Sequence, residues 1–112
     1  MLKIDLEMQE IVFRLNNMGL YTSFCCQGNH IDGRILIAYV GFSEGVVLPS
    51  SLINFGMEQG WQVDRDYSDP INPLRFRYSV HSVDSDFPED YFALEKRNKA
   101  FIAGWKSFLN IN

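Results

Sequence analysis

Six consecutive residues, Cys25-Cys26-Gln27-Gly28-Asn29-His30, carry the densest chemistry in this chain. A thiol becomes a nucleophile when an imidazole beside it stabilises the thiolate. Four or five positions separate Cys26 or Cys25 from His30, a gap that one turn can close. Cys25, Cys26 and His30 are therefore the candidate catalytic residues of a small enzyme. No orienting acid or oxyanion hole accompanies them in the sequence. The same thiols with His30 and His81 are the whole stock of soft metal ligands. Zinc sites take four ligands in paired spacing, and adjacent cysteines chelate one ion poorly, so no metal is expected. A third reading is a ligand-binding turn. Gly28 would let backbone N–H groups approach an anion, with Gln27, Asn29, His30 and Arg34 adding polar side chains. The plain structural alternative makes Cys25 a small core residue and Gly28 and Gly33 the positive-φ positions of a loop.

A second constellation is Arg75, Arg77 and His81. Alternation along a strand puts all three on one face, opposite Leu74, Phe76, Tyr78 and Val80. They join the loop residues as candidate ligand-binding groups for an anion. With Tyr39 or Tyr67 nearby, the face would also have the rings that single-stranded nucleic-acid binders use for stacking. If Asp64 and Asp66 face the same way on a neighbouring strand, they neutralise the arginines as cross-strand pairs. The formal charge of -4 and the absence of an RNP-like motif argue against nucleic acid as the partner.

The elements that must position these groups follow from hydropathy patterns. Met8, Ile11, Val12, Leu15 and Met18 have helical spacing over residues 5–18, with Asp5 as N-cap and Gly19 ending the helix. Residues 20–25 read as a strand, and 34–42 as a continuously apolar one. Pro49-Ser50-Ser51 opens a helix that Gly60 ends. Residues 61–67 and 74–83 are strands separated by a loop with two prolines. Asp86-Phe87-Pro88-Glu89 has the form of a capping box, and the last helix then runs to about residue 109. The order is α-β-β-α-β-β-α. It predicts an α+β fold, with a four-stranded, mainly antiparallel sheet and helices packed on one face. The two αββ halves form a weak internal repeat.

Length sets the frame. The 112 residues form one domain, 1–112, and 46% of them are hydrophobic, which excludes disorder. No apolar run is long enough to span a membrane. The acidic N-terminal residues do not resemble a signal peptide, and two adjacent cysteines suit reduced thiols, so the protein is expected in the cytoplasm. No cofactor is expected. A homodimer would form through the central strand or through the last helix, where five large apolar residues fall between Phe101 and Leu109.

The segment Asn17 to Asn29 resembles a motif of small bacterial and phage proteins whose role is unassigned. Their pattern is G-x-x-T-x-x-S-C-x-G-H, then an extended apolar strand, then L-P before a short helix ending in G-W or G-F. Gly19, Thr22, Cys26, Gly28, Leu48, Pro49, Gly60 and Trp61 match it. Residue 25 is Cys where serine is usual, and residue 29 is Asn where histidine is usual, with His30 one place later. The resemblance spans residues 12–80. It implies a shared fold and a phage or prophage origin, and no activity. Wybutosine-synthesising tRNA-modifying proteins share only Cys26 and Gly28, which implies no function. The reading reached is an anion-binding or interaction module, with a Cys/His enzyme and a structural oligomer as alternatives.

Overall fold

A computed structural model describes residues 6–28, 30–31, 34–84, 86–87 and 90–111, with the backbone alone at 30–31 and 34–35. A 3-10 turn, Leu6–Met8, leads into α1, Gln9–Asn17. Strand β1 is Thr22–Cys26. His30–Ile31 (β2) and Arg34–Ile35 (β3) pair as a short hairpin. Tyr39–Phe42 is β4, and α2 is Ser50–Gln59. Gln62–Tyr67 (β5) and Phe76–His81 (β6) precede α3, Tyr91–Phe108. The main sheet has the order β1-β4-β6-β5 and every pairing is antiparallel. This is the α+β fold that the sequence pattern predicts.

Val40, Phe42 and Val80 share one face of the sheet, and that face carries the core. All three helices cover it, through Met8, Ile11, Val12 and Leu15 of the N-terminal turn and α1, Leu52 of α2, and Phe101 and Trp105 of α3. The rings of Trp61 and Trp105 stack with centroids 5.2 Å apart, and Phe101 meets Trp61 edge-on at 4.8 Å. Such pairs add roughly 0.5–1.5 kcal/mol each beyond the area they bury. Two glycines make room for this cluster. A Cβ on Gly104 would lie 2.6 Å from Trp61 Cζ2, and one on Gly56 would lie 3.2 Å from Trp61 Cε3. Alanine at 104 gains up to about 1 kcal/mol of helix propensity but must displace a packed indole, at about 1–3 kcal/mol. Gly104→Ala should therefore lower the thermal midpoint. A midpoint that rises instead would show the ring yields freely.

Three sequence expectations change in detail, each for an identifiable reason. The strand expected over residues 34–42 is interrupted at 36–38. There the Asn98 side chain of α3 takes the Ala38 N–H at 2.9 Å and donates to the Leu36 carbonyl at 2.8 Å, replacing ladder partners. The last helix starts later than Asp86. Asp90 is its cap, accepting from the Ala93 N–H at 3.1 Å, while the Asp86 and Phe87 N–H groups turn back to Asp84. Leu74 is exposed rather than inward, because the turn closed by the Arg75 N–H on the Asn72 carbonyl ends before β6 begins. Asp5, Gly33, Pro88 and Glu89 lie outside the described residues.

Both sheet edges are blunted. β1 carries an irregularity between Thr22 and Phe24, and the Thr22 N–H is taken by the Asn16 side chain at 3.1 Å. β5 presents Asp64, Arg65 and Asp66 in succession. Bulges and charges of this kind oppose edge-to-edge pairing.

Candidate functional site

Cys25 and Cys26 point to opposite faces, as neighbours on a strand must. Cys25 stands opposite Val40 and packs against the core. Cys26 stands opposite Tyr39, on the other face, yet is buried; its Sγ accepts from the Gly28 N–H at 3.4 Å. Neither cysteine forms a disulfide. Asn29 and the side chains of His30 and Arg34 lie outside the described residues.

Register decides how the loop relates to the basic strand. Cys26 pairs with Tyr39, Tyr39 with His81, and His81 with Gln62. These four form one row across the helix-free face. The next row is Phe24, Gly41, Ser79 and Asp64, and Arg77 lies opposite Asp66 in the row after that. Cys26 and His81 thus share a face, but two strand spacings, about 10 Å, separate their backbones, with Tyr39 between. His81 is therefore not poised to activate the Cys26 thiol.

A serine, a histidine and an aspartate do meet on this face, which the sequence reading did not anticipate. His81 Nε2 lies 3.1 Å from Ser79 Oγ and 3.8 Å from Asp64 Oδ2. Both neighbours approach the same ring nitrogen. A catalytic triad needs the acid on one nitrogen and the hydroxyl on the other. The cluster is a cross-strand polar network, in which Gln62 Nε2 also donates to both Asp64 oxygens at 2.9 Å. A period-two alignment of residues 62–66 with 77–81 would have found it, had the register been known.

Arg75 is committed elsewhere. Its Nε lies 2.7 Å from Glu44 Oε1, and Ser68 Oγ lies 2.9 Å from the same oxygen. The hydrogen bond from Arg75, then that from Ser68, holds the Glu44 carboxyl below the usual glutamate range. A carboxyl depressed in the folded state stabilises above its unfolded pKa, and the benefit is lost as pH falls through the folded value. Acidification below the ordinary glutamate range should therefore loosen the 68–75 loop first. Faster amide exchange at Ser68 and Arg75, ahead of Val40 and Val80, would show it; simultaneous loss would contradict the clamp.

Gln27 and Gly28 open onto a different place. They line a groove of about 510 Å³ against α3, together with Glu7, Glu95, Asn98, Lys99 and Lys106. Ile102 and Ala103 form its apolar wall. The Glu7 N–H donates to Gln27 Oε1 at 3.0 Å, fixing the turn to the N-terminal segment. Lys106 lies 3.7 Å from Glu7 and Lys99 lies 3.5 Å from Glu95, both pairs partly exposed. Gly28 has φ +91 and sits directly on the Asn98 side chain. The described members of the two constellations therefore lie apart. The Gln27–Gly28 turn faces α3, and Arg77 and His81 lie on the open sheet face.

Comparison with protein-family models, curated proteins and solved structures finds no match to this chain. Among the described residues no three His, Cys, Asp or Glu side chains cluster as a metal site would need. No described helix is long and apolar enough to cross a membrane.

Proposed function

We propose that this protein is a small binding module that takes an anionic ligand in the groove between the Gln27–Gly28 turn and α3. The observation that carries this reading is the groove itself. At about 510 Å³ it falls within the roughly 300–1,000 Å³ typical of small-molecule sites. The polar turn meets Lys99 and Lys106 there, beside the Ile102–Ala103 wall. That lining suits an amphipathic molecule with a negative end. The ion pairs of the two lysines are exposed pairs worth about 0–1 kcal/mol, so a ligand carboxylate or sulfonate competes for them easily. An intracellular setting and the bacterial or phage ancestry implied by the motif belong to the same proposal.

The enzyme alternative pairs Cys26 or Cys25 with His30, whose side chain lies outside the described residues; the described histidine, His81, stands two strands from Cys26 and forms no triad with Ser79 and Asp64. The homodimer alternative loses its main argument. Phe101, Trp105 and Leu109 are buried in the protein's own core, and Ile102 and Phe108 pack against it.

The test is an NMR titration with 8-anilinonaphthalene-1-sulfonate, an apolar ring system bearing one negative group. Amide shifts should concentrate at Gly28, Asn98, Lys99 and Ala103. The double variant Lys99→Gln/Lys106→Gln should bind about tenfold more weakly, since charge-assisted contacts to two cations are lost. Shifts confined to other surfaces, or unchanged affinity in the variant, would remove the groove as the site.

A further inference from the structure

The helix-free sheet face holds a second, smaller groove of about 220 Å³. The Phe24 ring bounds it on one side, with Gly41 and Ser79 behind and Arg77 and Asp66 on the other. Its form follows from the register. Phe24, Gly41 and Ser79 share a row, so the two smallest side chains of the face lie next to its most exposed ring. Phe24 leans over the glycine: a Cβ on Gly41 would lie 3.4 Å from Phe24 Cδ2. Even so Phe24 remains 53% exposed. Arg77 stands two residues from Ser79 on the same strand face, about 7 Å along.

Arg77 is the cation of this groove. Among the described residues it has no carboxylate within 4.0 Å, although Asp66 is its cross-strand neighbour. Glu44, the other acid whose charge it feels, is already held by Arg75. An unclaimed guanidinium lining the same groove as an exposed aromatic ring fits a flat ring carrying a negative group. Two further features narrow the class. The volume lies below the range of drug-sized sites, so one or two fused rings fill it. Asp64 and Asp66 border the same face, so a polyanionic strand would meet more repulsion there than a single carboxylate.

We infer that the open sheet face binds a small planar aromatic carboxylate, stacked on Phe24 over Gly41 with its carboxylate on Arg77. This site shares no residue with the groove at Gln27 and Gly28, so either can fail without the other.

Indole-3-carboxylate is the probe, with uncharged indole-3-carboxamide beside it, followed by amide shifts of the whole protein. The carboxylate should shift Phe24, Gly41, Arg77 and Ser79 and bind about tenfold more tightly than the amide. Arg77→Gln should abolish that preference. Gly41→Val, which fills the groove floor with a residue favoured in strands, should weaken both probes about tenfold or more. Equal affinity for the two probes, or shifts that avoid these residues, would overturn the inference. So would tighter binding of a thymidine hexamer than of the carboxylate, which would make the face a nucleic-acid surface instead.

Discussion

Replacing Asn98 with leucine should remove about 4 kcal/mol of folding stability, although the two side chains are close in size. Asn98 is buried on α3, and its side-chain hydrogen bonds cross to other segments. Its Oδ1 accepts from the Ala38 N–H at 2.9 Å and from Ser82 Oγ at 2.7 Å, and its Nδ2 donates to the Leu36 carbonyl at 2.8 Å. Leucine leaves three polar groups without this partner, and Ala38 and Ser82 are fully buried. A buried group deprived of its partner costs about 1–3 kcal/mol. The three costs are not additive, which places the sum near 4 kcal/mol. Urea unfolding would measure it through the midpoint at constant slope. A loss below about 1.5 kcal/mol would mean that backbone rearrangement at 36–38 replaces the side-chain bonds. Amide exchange at Ala38 should accelerate even under native conditions, because its N–H then lacks this acceptor.

Gly28→Ala is the second large effect, at about 3 kcal/mol. Two costs combine. At φ +91 an L residue is in a region its Cβ disfavours by about 1–2 kcal/mol. The new methyl group would also collide with Asn98 Nδ2 and lie 2.7 Å from Asn98 Cγ. Asn98 cannot turn away without breaking the bonds described above, so overpacking adds about 1–3 kcal/mol. A double-mutant cycle separates the two costs. In an Asn98→Ala background the clashes with Nδ2 and Cγ are gone and only the 3.1 Å approach to the residue 98 Cβ remains, so Gly28→Ala should cost little more than its backbone share. A coupling of about 1 kcal/mol or more is expected. Strict additivity would show that φ alone sets the cost. The variant also tests the binding proposal, since Gly28 lines the α3 groove.

These two residues show where sequence reading stopped. Gly28 was legible as a positive-φ position in a polar loop, because glycine supplies that conformation at no steric cost. What presses on it was not legible, since Asn98 lies 70 positions later on a helix that reads as amphipathic. An asparagine in a helix pattern ordinarily signals a solvent face. Here tertiary packing buries it, because the irregular stretch 36–38 needs partners that no strand supplies.

The sequence by itself determined the order along the chain of the three helices and of the four strands of the main sheet, the helix ends at Gly19 and Gly60, the opposite facing of Cys25 and Cys26, and the inward facing of Tyr78 and Val80. Each rests on local rules: periods of 3.6 and 2, and the glycine preference for positive φ. Tertiary structure alone decided strand order and register. Strand pairing joins residues far apart in sequence, and a one-residue slip would exchange the two faces. That register put Cys26, Tyr39 and His81 in one row, set Phe24 beside Gly41, and turned Gln27 and Gly28 away toward the lysines of α3. The residues that could do chemistry were visible from the start. Which of them share a surface depended on backbone hydrogen bonds, which carry no sequence signature.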